Sequence, residues 1–279
     1  MLAERRGLVN DHPLRVATTW KLSFEQVEQK SQAGADLLQV CAFLAPDSIP
    51  EWMIVQGAEE LGPNLEKVGE DEEVLEKAVE ALLAYSLMKR DVGRQMMSVH
   101  RLVQAVVRDG MKKEEQSQWA ERVVLAVNAA FPYVEHKTRA RCEELLPHGL
   151  LCTQWIEQYQ MKQKDAAQLL KQVAYYLQVR ARYQQEAEWV QRTTQGDQEA
   201  FDKLFQISVD FVYGYFFSRL GSISLAEALT SKTLTEATRM LVKGRYKLLD
   251  KPFRVWIYTI AKNVRNNSGL LETCQNTRT

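Results

Sequence analysis

The segment "KPFRVWIYTIAKNVRNN" (residues 251–267) decides how the C-terminal third of this chain is read. Phe253, Trp256, Ile257, Ile260, Ala261 and Val264 recur at helical spacing, which predicts a helix with one apolar face. The opposite side carries Arg254, Tyr258, Lys262 and Arg265, three cations around one aromatic ring. That side is either the wet face of a core helix or a surface for nucleic acid. Contact with nucleic acid would draw on that positive charge for the phosphates.

Charge along the chain sharpens the question. The formal net charge is zero, yet residues 232–265 hold nine basic side chains against Glu236 and Asp250. Lys243, Arg245 and Lys247 extend the stripe next to Tyr246, and such a surplus is a footprint for a polyanion. Residues 59–80 hold nine acidic side chains against Lys67 and Lys77, which is read as a solvated helix and loop.

With 279 residues, the chain is long enough for two domains that each bury a core. A composition 46% hydrophobic and 26% charged is that of a globular protein. No apolar run approaches the ~20 residues of a membrane span, and the N-terminus lacks the core of a secretory signal, so a cytoplasmic location is expected. Cys41, Cys142, Cys152 and Cys274 form no CxxC pair, which argues against a structural zinc site or disulfide framework. The four histidines show no HExxH spacing, and neither G-x-S-x-G nor a phosphate-cradling glycine loop is present. No catalytic residue and no cofactor is therefore assigned; the chain is read as non-enzymatic.

Periodicity organises the rest. Residues 1–16 are read as an irregular arm and Val16 to Leu44 as helical, with "APDSIP" (45–50) as a break. Helices are expected over Glu51–Leu61 and Glu72–Tyr85. In "YSLMKRDVGRQMMSV" (85–99) two short extended runs flank "DVGR", a β-hairpin with Gly93 supplying the turn, and Ser98 is expected to cap a helix through Asp109. Everything after Lys113 reads helical, with one helix interrupted at Pro147 and Gly149. A further helix is expected over Asp165–Arg182, and Tyr183 is expected to begin the next. Gly196-Asp197 and Gly221-Ser222 mark later breaks.

Two resemblances follow. "HPLRVATTWKLSFEQVEQ", "LLQVCAFLAPDSIPEW", "ALLAYSLMKRD" and "VHRLVQAVVRDGM" resemble the winged-helix segment of bacterial STAND (NB-ARC-type) ATPases. "WAERVVLAVNAAFP", "CEELLPHGLLC" and "AAQLLKQVAYYLQVRARYQQEAEWV" resemble the arm leading into their tetratricopeptide sensor, here half a TPR. The family's Met-His-Asp motif, whose His contacts the phosphates of bound ADP, is matched by Val99-His100-Arg101, in His100 alone. No GxxxxGK[ST] occurs in the chain, so His100 is read as a capping or packing residue and no nucleotide is expected.

"EWVQRTTQGDQEAFDKLFQISVDFVYGYFFSRLG" and "KPFRVWIYTIAKNVRNN" resemble region two of bacterial RNA polymerase sigma factors of the extracytoplasmic-function type. That resemblance implies a helical bundle with one face on the polymerase clamp and another on the unpaired −10 promoter strand. It implies DNA contact by Arg254, Tyr258, Lys262, Arg265, Lys243, Arg245 and Lys247. Glu227 keeps an acid that grips the clamp, while Ala228 and Lys232 stand where the family has acids, which weakens complementarity. A −35-reading helix-turn-helix is expected to be absent. Phe201, Phe205, Phe211, Tyr215, Phe216 and Phe217 are read mostly as bundle core, and Trp256 likewise.

The expectation is thus a mainly α protein. It comprises a winged-helix-like domain with one β-hairpin (1–113), a helical arm with a TPR-like pair (114–188), a sigma region-two-like bundle (189–268) and a disordered tail (269–279). Core RNA polymerase and promoter DNA are the expected partners, with protein partners on the TPR-like helices and no membrane. The alternatives are an interaction fragment of a STAND regulator and a gene fusion without joint function.

Overall fold

A computed structural model describes residues 12–244, 246 and 253–268. The described chain is mainly helical, with eleven α-helices and one three-stranded sheet. It divides into two compact units, one reaching to Tyr176 and the other starting at Leu177.

In the first unit α1 (His12–Lys30) and α2 (Gln32–Ala42) are separate helices, where the periodicity predicts one run. Ser31 makes the division: its backbone is extended, and its hydroxyl accepts the Gly34 N–H at 3.0 Å as an N-cap. Helix α2 is apolar nearly all round and lies inside the core with Leu37, Leu38, Val40 and Cys41 fully covered. Burial pushes the Cys41 thiol up to about 12, so it stays an inert apolar filler. Its buried Asp36 accepts hydrogen bonds from Gln32 and Asn64.

The proline-flanked break at 45–50 contains a strand. Strand β1 (Ile49–Pro50) pairs with β3 (Met96–Ser98), which pairs in turn with β2 (Lys89–Asp91), all antiparallel. Pro50 is tolerated because β1 is an edge strand. The expected hairpin is present, but Gly93 does not provide the left-handed residue; Gln95 does, at φ 54°. The turn is fixed instead by Asp91, whose carboxylate accepts the Arg94 N–H at 3.1 Å. Arg90 of β2 ties the sheet to the helices around it, α3 (Glu51–Gln56) and α4 (Glu72–Ala84), through Glu51 at 2.7 Å and Glu76 at 2.6 Å.

Ser98 lies within β3 and does not cap α5 (Arg101–Asp109). His100 takes that place, its Nδ1 accepting the Leu102 N–H at 3.2 Å, with Trp20 against its ring. Helix α5 then closes the C-terminus of α2: Gln104 donates to the carbonyls of Cys41 and Leu44, and Arg108 to that of Ala42. Arg108 is therefore committed inside the fold, while Arg101 is exposed and forms no ion pair among the described residues.

Helices α6 (Lys113–Ala130) and α7 (Arg139–Gln158) pack as a pair. No interruption occurs at Pro147; α7 passes through it, losing one backbone bond while burying Leu145, Leu146, His148 and Cys152. Gly149 is required there, because a Cβ would meet the Val173 side chain at 2.9 Å. Gly57 is tighter still: a Cβ would meet the Ala126 backbone of α6 at 2.9 Å. Gly57→Ala is expected to lower first-unit stability by about 1–3 kcal/mol through overpacking, read as a lower urea midpoint at unchanged m value.

The helix–turn–helix expected over Asp165 to Val190 is one helix, α8 (Lys164–Thr194). No Gly or Pro falls within it, and Ala, Leu, Gln and Arg favour continuation through Arg182 and Tyr183. The unit boundary falls inside this helix.

In the second unit the sequence breaks fall where expected. Gly196 takes φ 92° and Asp197 caps α9 (Gln198–Leu220) through the Ala200 N–H at 3.0 Å. Gly221 ends α9 in the left-handed conformation, and Ser222 caps α10 (Ile223–Val242). Helix α11 (Phe253–Asn266) buries Phe253, Ile257, Ile260, Ala261 and Val264, the apolar face read from its spacing. These close a core with Val190, Leu204, Val212, Phe216, Ala226 and Ala237. Trp256 is half-buried against Tyr246 and Phe253. No helix of the described residues is long and apolar enough to cross a membrane.

Candidate nucleic-acid interface

The outer side of α11 is where the sequence reading places its site, and the structure treats its four residues differently. Arg254 does not face solvent as a free cation. Its Nε donates to Glu186 of α8 at 2.5 Å, and the Glu186 side chain is only 4% exposed. Burial pushes the Glu186 carboxyl up and the Arg254 charge opposes that shift. The second carboxylate oxygen, Oε2, is buried without a hydrogen-bond partner. Releasing Arg254 would strand a buried, half-satisfied carboxylate, so Arg254 serves the fold before it serves any ligand.

Tyr258, Lys262 and Arg265 do converge. Tyr258 and Lys262 are exposed, one turn apart on α11, and Arg265 is half-buried beyond them. Tyr258 meets Tyr215 of α9 edge-on with ring centroids 4.9 Å apart, and Phe211 of α9 at 6.4 Å. The Arg265 guanidinium lies 5.8 Å from the Tyr215 ring, and its Nε is buried without a hydrogen-bond partner. Tyr258 and Phe211 each keep 36% of their surface in solvent, which exposes part of both rings. The result is a seam between α9 and α11 with aromatic rings along it and cations beside them.

Phe211 and Tyr215 are not among the residues that the sequence assigns to the interface, because aromatic content on a long helix reads as core. Their spacing of four residues puts them on one stripe of α9, a signal that becomes legible once α11 is known to lie beside that stripe. The core assignment holds for Phe216, which is fully covered, and for Tyr215 at 7% exposure. It fails for Phe205 and Phe217, which are each more than two-fifths exposed.

Lys243 ends α10 and is exposed, while Arg245 and Lys247 lie outside the described residues. Glu227, Ala228 and Lys232 are all exposed on α10, the face that the resemblance assigns to polymerase. In the first unit His100 lines a cleft with Arg101, Lys89 and Ser86, while its Nδ1 is engaged in capping α5. No cluster of three or more His, Cys, Asp or Glu side chains arranged to hold a metal ion occurs among the described residues.

A family described as a domain of unknown function (DUF7779) matches residues 23–116, in the first unit. The chain is 36% identical over 77 residues to the ECF RNA polymerase sigma factor BldN of Streptomyces coelicolor, a match covering 28% of each protein. It is 23% identical over 190 residues to a nucleotide-binding leucine-rich repeat (NLR)-like protein of Hyaloscypha variabilis, covering 68% of this chain and 18% of that protein. No solved structure matches. The chain thus spans less than a third of the length of either relative, and carries one stretch similar to a sigma factor and one similar to an NLR-like protein.

Proposed function

We propose that this is a non-enzymatic, cytoplasmic transcription-initiation protein whose C-terminal unit binds unpaired promoter DNA and core RNA polymerase in the manner of a sigma factor. One observation carries the reading: the α9–α11 seam brings the partly exposed Tyr258 and Phe211 together, with Lys262 one turn along α11 and Arg265 over the neighbouring Tyr215 ring. Stacking rings next to cations are what a single strand requires, and the rings are sequence-tolerant because every base has a π face. The similarity to a sigma factor over 77 residues supports the same reading. Lys262 and Tyr258 are the contacts; Arg254 is a structural residue, and Glu227 on α10 is the remaining acid of the polymerase-facing side.

The test is native binding of the full chain to bacterial core RNA polymerase, with Glu227→Lys as the comparison. Sub-micromolar binding that Glu227→Lys weakens about three- to tenfold supports the sigma role. No binding by the parent chain removes polymerase from the account. A second reading, an interaction module of a STAND-type regulator, rests on the similarity of a longer stretch to an NLR-like protein. It expects a protein partner whose binding is indifferent to Lys262→Ala.

A further inference from the structure

Of the four arginines on α9, α10 and α11, two are tied to carboxylates: Arg239 to Glu236 at 2.7 Å and Arg254 to Glu186 at 2.5 Å. The other two, Arg219 and Arg265, form no ion pair among the described residues. Both point at one ring. The Arg219 guanidinium stands 4.2 Å from the centroid of Tyr215, and that of Arg265 5.8 Å from the same centroid. Arg219 is exposed in the last turn of α9, and its only hydrogen bonds among the described residues are long ones, 3.4 Å to the Tyr215 carbonyl and 3.4 Å to Ser218 Oγ.

A cation over a ring face gains from the ring's quadrupole, so Tyr215 helps hold each guanidinium in place. Ring faces do not neutralise charge, however, and no carboxylate of the described residues pairs with either guanidinium. A planar guanidinium braced on a ring leaves its outer N–H groups aligned for a bidentate acceptor, which is the geometry a phosphate group fits. Lys262 and the partly exposed Tyr258 continue the same seam, so a strand whose phosphate sits here has an aromatic ring beside its path.

We infer that Arg219 and Arg265, held on Tyr215, form a binding site for a backbone phosphate of a single-stranded nucleic acid, with the adjoining base stacked at Tyr258. Arg219 extends the interface from α11 onto α9. The inference rests on the proposed function and gives that surface its second helix.

The experiment titrates the full chain against a fluorescent oligothymidylate at several salt concentrations, for the parent chain and for Arg219→Ala, Arg219→Lys and Lys262→Ala. Expected for Arg219→Ala is a three- to tenfold weakening, about that of losing one phosphate contact, with the log–log salt slope reduced by about 0.7. A purely structural arginine has no reason to change that slope. Arg219→Lys is expected to keep the slope and recover part of the affinity, since charge remains and the planar brace does not. Parent-like binding by Arg219→Ala, with Lys262→Ala weakened, overturns the site and leaves the function standing. No binding by the parent chain overturns both. Displacement of the strand by millimolar inorganic phosphate, beyond chloride of equal ionic strength, identifies a free-anion site and overturns the assignment to a strand.

Discussion

Arg254→Ala is expected to lower the stability of the C-terminal unit by about 2–4 kcal/mol, independently of any ligand. A fully buried pair that loses one partner costs about 3–5 kcal/mol, and the lower range applies because the Arg254 side chain is 42% exposed and water screens it. The cost falls on Glu186, whose side chain is 4% exposed and whose Oε2 already lacks a partner. Adding Glu186→Gln to Arg254→Ala is expected to recover a large share, since an amide needs no counter-charge. The two substitutions are therefore strongly non-additive, and a double-mutant cycle by urea unfolding measures the coupling. An Arg254→Ala variant with the parent midpoint would return Arg254 to the set of solvent-facing cations.

Acidification from pH 7 to pH 4 is expected to remove about 3 kcal/mol of first-unit stability through His148 alone. Burial pushes its pKa down from 6.5 to about 4. The geometry explains the preference for the neutral ring: the Ala45 N–H donates to Nδ1 at 3.2 Å, which leaves Nε2 to donate to the Ser48 carbonyl at 3.2 Å. A second ring proton would face the Ala45 N–H. Because the folded pKa lies below the unfolded one, the contribution is complete above about pH 6.5 and is lost as pH falls towards 4. His148→Gln keeps an acceptor and a donor but does not titrate, so its stability should fall less steeply over that window. Parallel pH profiles for the two proteins would assign the acid sensitivity elsewhere.

Much of the local structure was legible in the sequence because short-range chemistry decides it. The buried face of α11, the helix breaks at Gly196-Asp197 and Gly221-Ser222 and the β2–β3 hairpin each follow from residues within one or two turns. The errors came where tertiary packing outweighs a local signal. Pro147 predicts a helix break, but the buried side chains around it hold α7 together. The turn assigned at Arg182–Tyr183 came from a repeat-like pattern with no Gly or Pro to enforce it. The site was half legible for a related reason. Tyr258 and Lys262 could be placed on the outer face of α11 from spacing alone. Whether Arg254 is free depends on a partner 68 residues away, and the role of Phe211 and Tyr215 depends on which stripe of α9 faces α11. No periodicity within one helix contains either fact.

The central claim is that the α9–α11 seam takes an unpaired nucleic-acid strand, and the most direct measurement is the salt dependence of anisotropy when the full chain meets a short single strand and its duplex. One phosphate at Arg219 and Arg265 and one at Lys262 should give a log–log slope of about −1.4 on the single strand, from about 0.7 per phosphate. Tyr258→Ala should weaken that binding about fivefold or more, and the duplex, whose bases are already stacked, should bind more weakly than the strand. Equal affinity for strand and duplex, with no loss in Tyr258→Ala, would contradict the account and reduce the seam to a solvated helical surface.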